Sequence, residues 1–147
     1  MTFYYLFMLT QSDIEDTLSR TLLPAPSVIY YFKNAEISLN NRPNTIVRGV
    51  QKSGADAIYL NALSPKSTVI HETVHNTGVT NETRAITKVL YTRQTLGIIP
   101  KLRRRNIHYK EFPVSDEEKA EVMHDLGLQP QDANMDEIKL VKLVMVE

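Results

Sequence analysis

The pattern of apolar and polar residues along the chain predicts a domain of mixed α and β structure. Runs rich in apolar, aromatic and β-branched residues are typical of strands, and they occupy residues 2–9, 27–33, 36–39, 45–50, 57–60 and 137–146. Apolar residues recur at helical spacing in residues 12–22, 64–78, 81–90 and 115–127. We therefore expect an α+β fold, a small twisted sheet with the two central helices packed on one face.

Capping residues and helix breakers mark the ends of the two outer helices. Ser12 with Glu15, and Ser115 with Glu118, fit the capping-box pattern, in which the two side chains bond the backbone of the first turn. Prolines and a glycine end these helices near residues 22 and 127. The apolar face expected on the second of them consists of Ala120, Met123 and Leu126.

The first central helix carries the HExxH motif, His71-Glu72-Thr73-Val74-His75. Residues four apart lie on one face of a helix, so the two imidazoles project side by side. Two neutral imidazole nitrogens at that spacing can take adjacent corners of a zinc tetrahedron. Glu72 is rotated off this line, where its carboxylate can take a proton from a metal-activated water. The alternative is an ordinary polar helix face without a metal.

The residues around the motif favour a helix. Ser64-Pro65 offers an N-cap followed by proline at the first helical position, and Ser67 is a second candidate start. Gly78 is well placed to end the helix. An apolar stripe beside the histidines lets one side pack on a core, and it consists of Ile70 and Val74.

The HExxH motif followed by Gly78 resembles the active-site consensus of zincin metallopeptidases. Residues 56–61 resemble the edge strand that precedes the active-site helix in that superfamily, so the resemblance covers roughly residues 56–90. It implies a zincin-like fold, a catalytic zinc ion held by the two histidines, and the glutamate as general base in peptide hydrolysis.

The sequence does not decide which residue is the third zinc ligand. Metzincins carry a His or Asp six residues after the second His, where this chain has Asn81, a poor zinc ligand. Gluzincins use a Glu on a following helix, and the run from Glu82 to Ala85 resembles that helix in compact gluzincins. Thr80 or Asn81 is a natural N-cap, which places Glu82 at the start of an inward-facing stripe. A carboxylate there is costly to bury unless it is paired or metal-bound, although an exposed Glu82 would also complement the helix dipole.

Two of the predicted strands have expected partners. Residues 137–146 favour a strand, which we expect to pair with residues 2–9. A helix is the alternative, because Lys139 and Lys142 are three residues apart, a helical spacing. If residues 57–60 form an edge strand beside the metal-binding helix, an extended peptide can add to it as another strand. A plain surface strand fits the pattern equally well.

Composition narrows the classes of function. The 147 residues form one domain, 1–147, with 42% hydrophobic and 23% charged residues, as in ordinary globular proteins. Lys+Arg and Asp+Glu are both 17, so no overall charge directs the chain to nucleic acid or membranes. There is no cysteine, hence no disulfide framework or thiol nucleophile. The run at 2–9 is too short to span a bilayer and lacks signal-peptide features, so we expect a cytoplasmic protein.

One concentrated positive segment, residues 101–110, includes Arg103, Arg104 and Arg105. A solvated loop explains it, and so does contact with a phosphate backbone or an acidic substrate. Tyr109 and Phe112 can stack on bases. His108, Tyr109 or Tyr91 can instead supply the donor that stabilises an oxyanion in the cleft, and His124 is expected at the surface.

Two functions from different classes follow. The first is a zinc-dependent endopeptidase in which His71, His75 and Glu82 hold Zn²⁺ and Glu72 is the general base acting on a protein or peptide substrate. The second is a nucleic-acid- or protein-binding module that uses residues 101–110, with the zinc site structural or inactive. No membrane contact is expected, and the sequence does not indicate an oligomeric state.

Overall fold

In the computed structural model, the described residues are 9–21, 23–32, 38–39, 42–46, 49–52, 54–79, 81, 107–126 and 139–146. Their strands are β1 (Val28–Phe32), β2 (Ser38–Leu39), β3 (Arg42–Ile46), β4 (Gly49–Gln51), β5 (Ala57–Asn61), β6 (Tyr109–Phe112) and β7 (Leu140–Met145). Their helices are α1 (Gln11–Ser19), α2 (Lys66–Asn76) and α3 (Asp116–Asp125). The mixed α and β content confirms the expected α+β class.

Five of the strands form one mixed sheet in the order β4-β5-β1-β7-β6. β1 and β5 are parallel, with Ile29 opposite Ile58 and Tyr31 opposite Leu60, and the other pairs of this sheet are antiparallel. β2 and β3 pair separately. β1 and β5 are nearly continuous apolar runs because they lie inside the sheet and are covered on both faces.

Helices cover both faces of this sheet, because alternate residues of each strand point to opposite sides. The face that packs against α1 and α2 has a core that includes Ile14, Leu18, Ile29, Ile58, Leu60 and Val69. The other face packs against α3, and its core includes Tyr30, Phe32, Tyr59, Val122, Met123 and Leu126. The predicted apolar face of α3 is wrong at one position, since Val122 is buried and Ala120 is exposed.

α1 begins two residues before its predicted start. Its N-cap is Thr10 rather than Ser12: the Thr10 hydroxyl accepts from the Asp13 N–H at 3.1 Å, and the Asp13 carboxylate accepts from the Thr10 N–H at 3.0 Å. Glu15, the other half of the predicted box, instead accepts a hydrogen bond from the Tyr109 N–H at 3.0 Å. The start of α1 is shifted because Thr10 and Asp13 form an equally good capping box and because Glu15 has a long-range partner.

α3 has the predicted cap, but its glutamate is used elsewhere. Ser115 Oγ accepts from the Glu118 N–H at 3.1 Å. The Glu118 carboxylate accepts from Lys142 Nζ at 2.8 Å and from the Tyr30 hydroxyl at 3.1 Å. These two bonds to the sheet set the rotation of α3, which explains why its buried face differs from the predicted one.

Two strand expectations differ from the described structure. The predicted strand at 45–50 overlaps the end of β3, which already starts at Arg42, and the start of β4; residues 47 and 48 lie outside the described residues. The zincin resemblance implied an edge strand at residues 56–61, but in the described sheet β4 lies outside β5 and forms the edge. A tight turn brings β4 back along β5, with the Lys52 N–H donating to the Ala57 carbonyl at 3.0 Å. Strands joined by so short a connection usually pair.

β7 is a strand, as predicted, and it pairs with β1 and β6. Its predicted partner at residues 2–9 and the helix expected from Glu82 lie outside the described residues, apart from Leu9, whose N–H donates to the Ala62 carbonyl at 2.7 Å. None of the helices described is long and apolar enough to cross a membrane.

Candidate metal centre

α2 begins after Pro65, which is its N-cap and gives it no side-chain hydrogen bond. The predicted cap, Ser64, is buried in the preceding turn, where its N–H donates to the Asn61 carbonyl at 2.9 Å. The C-terminal end is as predicted. Thr77 is the C-cap, and Gly78 follows with φ of +106°, in the left-handed region that favours glycine.

α2 packs on the sheet through one side, which leaves its histidines away from the core. The buried apolar residues of that side are Val69, Ile70 and Val74. Gly49 of β4 faces the helix: a Cβ added there would lie 2.8 Å from Thr68 Cγ2 and 2.9 Å from Glu72 Cγ. The backbone of β4 therefore approaches α2 more closely than any side chain would allow.

The two imidazoles of the HExxH motif converge, as the sequence predicts for a helix. His71 Nε2 and His75 Nε2 are 3.1 Å apart, and the ring planes meet at 82°. In a tetrahedral site with Zn–N bonds of about 2.0–2.1 Å, two ligand nitrogens lie about 3.3–3.4 Å apart. The observed separation is within a few tenths of an ångström of that value, and both residues remain partly exposed.

A backbone carbonyl orients His75. Its Nδ1 lies 2.6 Å from the Val79 carbonyl oxygen, which can only accept, so Nδ1 carries the hydrogen. In the neutral ring Nε2 then has a lone pair, the form that binds a metal. In this tautomer the lone pair of His75 Nε2 can accept a hydrogen bond from His71 Nε2–H, or it can bind a cation held between the two rings.

Glu72 is buried beside His71. The residue is 5% exposed, and its Oε1 lies 4.0 Å from His71 Nε2. A carboxylate is costly to bury unless hydrogen bonds, a cation or a metal compensate it. A cation bound next to the histidine nitrogens would also lie close enough to Glu72 to compensate the charge of this carboxylate.

His71, Glu72 and His75 together can hold a metal ion, because their ligand atoms all lie within 4.8 Å of one another. Comparisons with protein-family models, curated proteins and solved structures find no match to this chain. The chemistry of the site therefore has to be argued from its own donors. Two imidazole nitrogens and a carboxylate oxygen suit zinc and other first-row transition metals.

A polar network holds the C-terminal end of α2 to the sheet. Asp56 accepts hydrogen bonds from Asn76 Nδ2 at 2.6 Å and from Ser27 Oγ at 2.5 Å, and Gln51 Nε2 donates to Asn76 Oδ1 at 3.1 Å. Burial alone would raise the pKa of the Asp56 carboxyl, but the bonds from Ser27 and Asn76 outweigh it and hold the pKa below its ordinary value. The network steadies the turn of helix that carries His75.

Several predicted site residues fall outside the described part of the chain. They are Glu82, Tyr91 and the three arginines at 103–105. Asn81 is described and exposed. The roles of Glu82 as third ligand, of Tyr91 as oxyanion donor and of the three arginines in binding all remain predictions.

The structure does not bring Tyr109 to the metal site or to a surface where it could stack on bases. Its side chain is buried, and its hydroxyl donates to the Pro26 carbonyl at 2.8 Å. Tyr109 and the exposed His108 lie at the β6 edge of the sheet, opposite the β4 edge that packs against α2. Phe112 is exposed, at 40%. His124 is a surface residue, as predicted, with 88% of its side chain exposed.

Sequence reasoning missed two contributors to the site. A glycine inside an apolar run signals close backbone approach, so Gly49 could have been found. Val79 could not, because it contributes only its carbonyl oxygen, which any residue possesses.

Proposed function

We propose that this protein is a zinc-dependent peptidase with a zincin-like active site. The observation that carries the proposal is the convergence of His71 Nε2 and His75 Nε2 to 3.1 Å beside a buried Glu72. The tautomer of His75, set by the Val79 carbonyl, supports it further. So does the partial exposure of both rings, since a catalytic metal needs an open coordination position.

His71 and His75 are the proposed metal ligands, and Glu82 is the proposed third. A zinc ion held there would polarise a substrate carbonyl and lower the pKa of a bound water towards 7. Glu72 accepts the proton of the attacking water and later donates it to the leaving amine.

The substrate is proposed to be an extended peptide that lies along β4. Within the described residues, β4 carries no strand on its outer side, so its backbone can hydrogen-bond to an added strand. Gly49, on that strand, lies against Thr68 and Glu72 of α2. A peptide added at this edge would run close to the metal ligands and bind largely through its backbone.

A pair of substitutions tests the proposal. We expect Glu72→Gln to retain one zinc ion per chain and to lose peptide hydrolysis by at least about a hundredfold, as for removal of a general base. His75→Ala should lose both zinc and hydrolysis. Metal content is measured by elemental analysis and activity with a quenched fluorescent peptide library. Glu117→Gln, the same change at an exposed residue of α3, is the matched control.

Each alternative has its own outcome. If Glu72→Gln loses the metal as His75→Ala does, Glu72 is a ligand and the base assignment is wrong. If zinc binds the parent protein and no peptide in the library is cut, the site is structural or inactive and the peptidase proposal fails.

A further inference from the structure

Among the described strands, β6 forms the edge of the sheet opposite β4, with β7 on its inner side. The carbonyl of His108, just before β6, accepts a hydrogen bond from the Val146 N–H at 3.2 Å. In an antiparallel pair, successive residues alternate between those that bond the neighbouring strand and those whose backbone groups point away from it. The N–H and C=O of Tyr109 therefore point away from β7, towards the position that a further strand would occupy.

Two side chains of α1 take the place of such a strand at Tyr109. Gln11 Nε2 donates to the Tyr109 carbonyl at 2.6 Å, and the Glu15 carboxylate accepts from the Tyr109 N–H at 3.0 Å. Gln11 Nε2 also donates to Glu15 Oε1 at 3.2 Å, which joins the two side chains across one turn of helix. A donor and an acceptor for the backbone of one residue are what an antiparallel partner strand supplies. We call Gln11 and Glu15 the α1 clip.

Packing fixes both sides of the clip. α1 buries Ile14 and Leu18 in the core that also includes the side chain of Tyr109. The Tyr109 hydroxyl is tied to the Pro26 carbonyl at 2.8 Å. The helix and the strand are therefore held in place by the core, and the clip closes a gap whose width the core has already set.

The residues that follow Tyr109 also oppose a further strand. Lys110 is exposed on β6, and Pro113, directly after the strand, has no N–H to donate. Lysine and proline are residues that protect exposed strand edges in natural proteins. If β6 paired antiparallel with β6 of a second copy, with Tyr109 opposite Glu111, Lys110 would lie opposite its counterpart. Like charges directly opposite each other destabilise a strand pair.

We propose that the α1 clip closes the β6 edge to strand addition, and that the strand it excludes is β6 of a second copy of this chain. An edge with unpaired backbone groups is a template for association, and the clip occupies those groups at Tyr109. It also favours β4 over β6 as the edge at which an extended peptide adds. The inference does not depend on the proposed peptidase activity, because the clip contains no residue of the proposed metal site.

The test is the double variant Gln11→Ala with Glu15→Ala in the full chain, studied by sedimentation velocity over a range of protein concentrations. Alanine preserves the helix. Loss of two competing hydrogen bonds in each copy should raise the association constant at least about tenfold over that of the parent. Amide hydrogen exchange locates the interface. The Tyr109 N–H should exchange faster than in the parent at low concentration and become protected again at high concentration.

Glu15→Gln is the matched control, because its amide oxygen still accepts from the Tyr109 N–H. It should associate no more than the parent. Gln11→Ala alone leaves the bond to Glu15 in place and should give a smaller increase than the double variant. Lys110→Thr, added to the double variant, should strengthen association further, since it removes the contact between like charges. The proposal is overturned if the double variant associates no more than the parent, or if association leaves the Tyr109 N–H unprotected.

Discussion

Gly49 determines how closely α2 approaches the sheet edge. Any side chain at this position would meet Thr68 Cγ2 and Glu72 Cγ within 3 Å, and the Tyr59 carbonyl at 3.2 Å. Both side-chain atoms are bonded directly to Cβ, so they move away only if the χ1 rotamer changes or the helix shifts. The position of Glu72, the proposed general base, therefore depends in part on the lack of a side chain at Gly49 on β4.

We expect Gly49→Ala to lower the free energy of unfolding by about 1–3 kcal/mol, the usual cost of overpacking. The same variant should reduce hydrolysis, because relieving the clash moves Glu72. Urea denaturation and peptide cleavage measure the two effects.

Thr68→Ser removes one of the two clashing atoms and provides the control. In the double variant, the stability loss should be smaller than the sum of the two single losses. An alanine at position 49 that leaves both stability and hydrolysis unchanged would contradict this account of the site.

At the scale of elements, α3 docks on the sheet by a polar row as well as by apolar packing. The Tyr59 hydroxyl donates to Asp125 at 2.6 Å, and Lys52 Nζ lies 2.5 Å from Glu121. Burial raises the pKa of Tyr59, and the bond to Asp125 raises it further, so this tyrosine is a donor at any ordinary pH. The row fixes which face of α3 meets the sheet.

Glu118 should make the docking of α3 depend on pH. The hydrogen bond from Lys142 is the largest cause that holds the Glu118 pKa below its ordinary value of 4.5; burial opposes it, and the Tyr30 bond adds to it. A carboxyl group with a lowered folded-state pKa stabilises the fold above its unfolded pKa, and this contribution is lost as the pH falls through the folded value.

We therefore expect Glu118→Gln to be less stable than the parent at pH 7, by about 0.5–1 kcal/mol as for a partly exposed ion pair. The difference should shrink as the pH is lowered from 5 to 3. Urea denaturation at several pH values measures it. Glu117→Gln, its exposed neighbour on α3, should show neither effect, and an equal loss in both variants would refute the role of the Lys142 bond.

At the scale of the whole molecule, the candidate metal site and the β6 strand lie at opposite edges of the described sheet. α2, which carries the site, packs against β4 at one edge, and β6 forms the other edge, three strands beyond β5. Tyr109 lies on β6, and its hydroxyl joins this strand to the Pro26 carbonyl.

Tyr109→Phe should therefore lower stability without affecting zinc content or hydrolysis. Loss of a buried hydrogen bond that leaves its acceptor without a partner costs about 1–2 kcal/mol. Thermal unfolding and the peptide assay measure the two quantities separately. A selective loss of hydrolysis at unchanged stability would instead make Tyr109 part of the active site.

Local patterns in the sequence predicted the features that depend on neighbours along the chain. The common face of His71 and His75, the end of α2 at Gly78 and the α+β class all follow from helical or strand periodicity and from backbone preferences. Periodicity acts over a few residues, so no distant part of the chain was needed to recognise these features.

Tertiary structure alone decided which strand lies at the edge, where α1 is capped and how closely Gly49 approaches Glu72. Each depends on a contact between residues far apart in sequence, such as the bond from the Tyr109 N–H of β6 to the Glu15 carboxylate of α1. The tautomer of His75 depends on a backbone carbonyl that no residue type reveals. A sequence pattern records which side chains are available, whereas packing and hydrogen-bond partners determine which of them meet.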